Sequence, residues 1–167
     1  MRIWIFVIAA AVGTVAHFLY APLGKPRWLA LFLPVSESPW EHAKLVFWPL
    51  LGAVGLLAYR EGLAWPAAVT AGFVGAMHAI AAMLGLHYAV RFGFADGSPI
   101  LWVDILTFFL SLGSGYAIAL GLLEAPVPEP VGVLCGLCLL VLACFFQWGS
   151  LNPPPQNVFQ DGRKAKT

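Results

Sequence analysis

Long apolar runs alternate along the chain with short breaks rich in Pro, Gly and charge. A helix needs about 20 mostly apolar residues to cross the hydrocarbon core of a bilayer. Five runs predict one each. They are Ile3 to Ala21, ended by Pro22, Gly24 and Pro26; Pro39 to Tyr59, ended by Arg60, Glu61 and Gly62; Trp65 to Val90, ended by Arg91, Asp96, Gly97 and Pro99; Ile100 to Leu123; and Val131 to Trp148, entered through Ala125 to Pro130. Trp28 to Val35 is apolar but too short to cross, so it reads as an interfacial or re-entrant piece with Trp28 at the interface. The first run passes through His17 and Tyr20 without a small-x-small cleavage site and reads as a retained span rather than a signal peptide. The expected architecture is all-α: a five-helix transmembrane domain over residues 1–151 and a polar, Pro-rich tail over 152–167.

Composition agrees. Of 167 residues, 60% are hydrophobic and 10% charged, against about 45–50% and about 25% in ordinary soluble domains. The lipid bilayer is therefore the first expected partner. A net charge of +1 leaves no basic field for nucleic acid. Cys135, Cys138 and Cys144 share one apolar run. The Cys135-x-x-Cys138 spacing has no basic neighbour to activate a thiol, so it reads as inert. No phosphate loop, nucleophile elbow or H-E-x-x-H is present.

Charge near the span ends sets orientation. One side holds Lys25, Arg27, Arg91, Arg163, Lys164 and Lys166; the other holds Arg2 and Arg60 with Glu124 and Glu129. The first side is expected to be cytoplasmic, with the N-terminus outside and the C-terminus inside. An up-down bundle then brings His17, Glu37 to Lys44, His78 and His87, Asp104, Gln147 and Asn152 toward one leaflet.

The stretch Leu33 to Lys44 holds the densest chemistry. Ser38, Pro39 and Glu41 predict a helix start: Ser38 as N-cap, Pro39 at the first position, and Glu41 reaching back to the Ser38 amide in a capping box. Glu37 and Glu41 are four apart, as are Ser38 and His42, so each pair shares a face. Lys44 is placed to neutralise Glu41. His17 and Tyr20 share a face of the first span, and His17 reads as a metal ligand or proton carrier facing His42. His78 and His87 are nine apart, about half a turn out of phase. His78, among Gly72, Gly75 and Ala79, is expected to face inward and His87 to lie at the interface. Asp104, Thr107, Ser111 and Ser114 form one stripe. The hydroxyls suit interhelical hydrogen bonds, whereas an unpaired Asp104 in lipid would cost about 2.5–3.5 kcal/mol. It needs a partner, with Lys44, His17 and His42 the candidates.

The segment Pro34-Val35-Ser36-Glu37-Ser38-Pro39-Trp40-Glu41-His42-Ala43-Lys44, after His17-Phe18-Leu19-Tyr20, resembles a family of small multi-spanning prokaryotic membrane proteins of unknown function. Their shared segment reads approximately P-V-N-E-S-x-W-E-H-x-K. The likeness extends to Asn152-Pro153-Pro154 and Phe159-Gln160-Asp161, and Ser36 stands where Asn is usual. It implies the architecture, a prokaryotic inner membrane and the choice of site residues, but no activity. A fainter likeness is to membrane hydrolases related to alkaline ceramidases. Ser38 to His42 is similar to their Ser-x-x-x-His element and Asp104 to their acid, but their H-x-x-x-H pair is missing and five spans stand where they have seven.

Three functions fit these residues, and whether the protein is an enzyme stays open. The first is a membrane-embedded site for zinc or another divalent metal. His17, His42 and His78 would be ligands, and Glu37, Glu41, Asp104 and Ser38 catalytic groups, hydrolysing a lipid or amide. The second is proton-coupled transport of a small solute. The third is a non-catalytic subunit or assembly factor of a membrane complex, or a homo-oligomer, packing through Gly52, Gly55, Gly72, Gly75, Gly113 and Gly115. Haem held by two His on facing helices is a variant of the third.

Overall fold

Every predicted run forms a helix, and the described residues contain no strand. The computed structural model describes residues 2–93 and 101–160. Its helices are α1 (Arg2–Leu19), α2 (Pro39–Glu61), α3 (Trp65–Gly93), α4 (Leu101–Leu122) and α5 (Glu129–Leu151). All five are long and apolar enough to cross a membrane, and the chain is a polytopic membrane protein. The stop signals Asp96, Gly97 and Pro99, the expected α4 start at Ile100, and Asp161, Arg163, Lys164 and Lys166 lie outside the described residues, as does the side chain of Arg91.

Local chemistry sets the ends. Gly62 takes a left-handed φ of 65°, and the Ala58 carbonyl accepts both the Gly62 and the Leu63 amides, the C-cap arrangement for which glycine is favoured. Pro at the first turn opens both α2 and α5, where its missing N–H is no loss. α1 stops two residues before the expected Ala21, and the chain turns through Gly24 (φ 82°) and Lys25 (φ 56°).

α2 is the central helix. In α2, 61% of the most apolar window is buried, against 17% in α5. α2 packs on α1, α3 and α4, while α5 leans on α3 and on the segment between α1 and α2. α3 and α4 are in close backbone contact where Gly75 faces Gly115: a Cβ on either would sit 2.7 or 2.6 Å from the other's carbonyl oxygen. Gly52 and Gly55, by contrast, face open space.

The short apolar piece between α1 and α2 contains a 3-10 turn, Arg27–Leu31. Side chains from two helices satisfy its carbonyls. Trp48 Nε1 donates to Leu31 O (2.8 Å), Gln147 Nε2 to Arg27 O (2.9 Å), and Lys44 Nζ to Ala30 O (2.5 Å). Irregular backbone at membrane depth persists only with such partners. The start of the C-terminal tail also has structure: a 3-10 turn at Asn157–Phe159 packs Phe159 against Trp40 of α2, centroids 5.0 Å apart and planes tilted by 45°.

At the far end of the bundle, Arg2 bridges Glu61 (2.7 Å) and Glu124 (2.8 Å). The start of α1 thus meets the ends of α2 and α4, as an up-down arrangement requires.

Candidate functional site

The site is assembled at the N-terminus of α2. Ser38 is extended (φ −77°, ψ 151°), and its Oγ accepts the Glu41 amide at 3.3 Å. This is the expected N-cap. The reciprocal half of the expected capping box is absent. Ser36 Oγ accepts the Ser38 amide (3.4 Å), and the Glu41 carboxylate turns the other way. Its Oε2 accepts from Val35 N (2.8 Å) and Lys44 Nζ (2.7 Å), and its Oε1 from Ser150 Oγ (2.6 Å). Three donors, one of them charged, outcompete a single backbone amide for this carboxylate.

Glu41 and Lys44 are 2% and 0% exposed, and Glu41 takes no part in the cavity described below. Lys44 also donates to Ala30 O and, at 3.4 Å, to Leu33 O, and it touches Ser150 Oγ. Carbonyls and carboxylate only accept, so these three partners use all three protons of an ammonium. Such a lysine has no lone pair to activate Ser150. The contact is a structural clamp joining α2, α5 and the segment between α1 and α2. Ser150 was invisible to sequence reasoning, because a single hydroxyl at the end of an apolar run carries no spacing signal.

One turn beyond Ser38, His42 Nδ1 lies 2.9 Å from Ser38 O. A carbonyl oxygen only accepts, so in the neutral ring Nδ1 carries the proton and Nε2 presents its lone pair. Nε2 faces Glu37, 3.6 Å from Oε2, while His17 Nε2 lies 3.8 Å from Glu37 Oε1. The His17 and His42 ring centroids are 5.2 Å apart. One ligand atom from each of His17, Glu37 and His42 lies within 4.8 Å of the others, all three residues being half-buried.

These three residues line a cavity of about 310 Å³. Across it stand His87 of α3 and Asp104 of α4, with His87 Nδ1 4.0 Å from Asp104 Oδ1. Among the described residues, His87 rather than Lys44, His17 or His42 is thus the group within ion-pair reach of Asp104. Of the two histidines of α3, it is His87 rather than the expected His78 that faces the site. His87 lines the cavity, whereas His78 is exposed and sits 3.2 Å from Ser114 Oγ, away from His17 and His42. The half-turn offset between them holds. Its phase is set by Gly75 and Ala79, which lie against Gly115 of α4 and so turn His78 off the packed face. Ser38 is 1% exposed, and its carbonyl, not its hydroxyl, reaches the site through His42.

The structure therefore joins His17, Glu37 and His42 with Asp104 around one space, and leaves Glu41, Ser38 and His78 outside it. No curated protein and no solved structure matches the chain. A family model described as a family of unknown function, DUF6512, matches residues 2–167, and the chain belongs to that family.

Proposed function

We propose that the protein is a membrane-embedded metalloenzyme in which His17, Glu37 and His42 hold one divalent ion and the adjoining cavity admits a lipid or amide bond for hydrolysis. The observation that carries this reading is the spacing of the ligand atoms. At 3.6 and 3.8 Å the Glu37 oxygens are too far from the imidazoles for hydrogen bonds, which run about 2.7–3.2 Å. The two distances go to different oxygens of the carboxylate, and with one ligand atom per residue the three lie within 4.8 Å of one another; rotation of the side chains would bring them toward the edge, roughly 3.3 Å, of a tetrahedron with ligands at about 2.0–2.1 Å.

The bond from His42 Nδ1 to a backbone carbonyl is what a ligating histidine uses to fix its tautomer and ring orientation. Two imidazoles and one carboxylate form a donor set suited to zinc. A bound zinc-type ion would supply a hydroxide near neutral pH. The chain's own part is to hold three ligands on α1 and the α2 entry and to keep His87 and Asp104 opposite, as proton acceptor and orienting group. Two neutral imidazoles and one carboxylate leave a divalent ion with a net +1, which favours a carbonyl or anionic oxygen as the incoming group.

A carboxylate between two imidazoles also suits a proton relay. Against that reading, the cavity narrows where Gly13 meets Phe108, and the buried polar groups that run on from it along α4 are hydroxyls, Thr107, Ser111 and Tyr116, with no carboxylate or imidazole among the buried residues of that helix. Lys25 and Arg27 at the site end support a cytoplasmic placement of the site, in a prokaryotic inner membrane.

Elemental analysis of purified protein tests the ligand set. Wild type is expected to carry one divalent ion per chain, lost in His42→Ala and Glu37→Gln and kept in His78→Ala. Wild type without stoichiometric metal, or His42→Ala that retains it, overturns the assignment. Release of fatty acid from acyl amides and esters by wild type, but not by Glu37→Gln, tests the hydrolytic step.

A further inference from the structure

The polar groups of the cavity gather at one end, His17, Glu37 and His42 on one side with His87 and Asp104 across from them, and much of the remaining lining is apolar, including Leu45, Met83 and Phe108. Its rim is formed by Phe18 of α1 and by Leu101, Ile105 and Phe109 of α4. These four are 68%, 75%, 49% and 42% exposed. Exposed apolar side chains on the outer surface of a spanning bundle meet acyl chains, because lipid tails are as apolar as they are. Below the ligands the space is shut: a Cβ on Gly13 would sit 2.8 Å from both Phe108 Cζ and Leu45 O. His17 and Gly13 are four residues apart, about 6 Å of helix, so the cavity is shallow and opens sideways. Its 310 Å³ lies at the small end of the about 300–1,000 Å³ typical of ligand sites, room for one chain segment rather than two.

We propose that this cavity is entered laterally from the bilayer, between α1 and α4, by a lipid with a single acyl chain whose carbonyl head meets the His17–Glu37–His42 cluster. The placement of the head rests on the metal reading above; the seat for the chain rests on the cavity alone. An amphiphile satisfies both kinds of lining at once. Its polar end lies among imidazoles and carboxylates, and its tail lies across Ile105 and Phe109, continuous with the surrounding lipid. A water-soluble substrate would leave the apolar lining uncovered, and a fully apolar one would lay hydrocarbon against the polar end of the cavity.

The test uses full-length protein in nanodiscs with a diazirine-bearing fatty acid as the probe. Photo-adducts are expected on α1 near Thr14 to Phe18 and on α4 near Leu101 to Phe109, and unlabelled fatty acid should compete them away. Ile105→Trp narrows the mouth, and adduct yield should fall about tenfold, equivalent to an overpacking clash of about 1.4 kcal/mol. Phe109→Trp, on the same rim, should give the same loss, which guards against a folding defect in either variant. His42→Ala should lose metal yet keep its adducts. Adducts spread evenly over the lipid-facing helices, or a yield unchanged in both Trp variants, overturn the lateral mouth even where metal is present. Mapped adducts in a protein that binds no metal would leave the chain seat standing and remove only the metal reading.

Discussion

Replacing Glu41 distinguishes a scaffold carboxylate from a catalytic one. Glu41 stands in the middle of the most polar stretch of the chain, yet its three donors are Val35 N, Lys44 Nζ and Ser150 Oγ, at 2.8, 2.7 and 2.6 Å. Glu41→Ala leaves the Lys44 ammonium without its counter-charge at a position that is 0% exposed. Removing one partner of a buried pair costs about 3–5 kcal/mol, mostly through the stranded charge. That is a large share of the about 5–15 kcal/mol that holds a typical fold. Adding Lys44→Met removes the stranded charge at similar volume. The double variant should therefore be more stable than Glu41→Ala alone, although it has lost more hydrogen bonds. Thermal or denaturant unfolding in detergent reads the three proteins against wild type, and metal content is measured on the same samples. The expected result is a large loss in Glu41→Ala, partial recovery in the double variant, and unchanged metal per folded chain in both. A Glu41→Ala protein within about 1 kcal/mol of wild type would refute the argument, as would a double variant less stable than the single.

Four other outcomes follow from the same structure. Gly75→Val places a side chain against Gly115 O and Ala119 Cβ, where even a Cβ would sit 2.7 and 2.9 Å away, and should cost at least about 1–3 kcal/mol. Gly52→Ala, which meets nothing within 4 Å, should be neutral or stabilising by up to about 1 kcal/mol in the same unfolding assay. Acidification should strip the metal, because ligating imidazoles must give up their protons; occupancy that does not fall with pH in a dialysis titration would argue against histidine ligation. In intact cells, an impermeant maleimide should label Arg2→Cys in a cysteine-free background and reach Gln156→Cys only after permeabilisation; the reverse pattern would invert the orientation.

Helix count and much of the site were legible because lipid imposes strict local rules. A run of apolar residues bounded by Pro and Gly has few options but to span, and the Ser38 N-cap follows from its three nearest neighbours. His17, Glu37 and His42 could be grouped because an up-down topology puts the end of α1 beside the start of α2. Glu41 was harder, since two of its three donors are indeed near in sequence but the third, Ser150, lies 109 residues away. The choice between His78 and His87 failed for a different reason. Small residues marked the packed face of α3 correctly, but Gly75 and Ala79 define that face without His78, which lies beside it. The proximity of His87 to Asp104 is hidden for the same reason, since a histidine four residues before Arg91 reads as interfacial.

The Lys44 clamp also bears on the order in which the protein is made. Gln147 and Ser150, which tie down the turn at Arg27 and the ammonium of Lys44, belong to α5, which is synthesised after the four helices it joins. Until α5 inserts, the backbone linking the first two spans lacks its Gln147 tie, and Lys44 lacks its Ser150 contact. The entry to α2 that carries Glu37 and His42 adjoins that linker, so the ligands settle into register only after α5 is in place. A chain stalled before α5 should therefore thread into the membrane with its first four helices and yet remain unable to form the site.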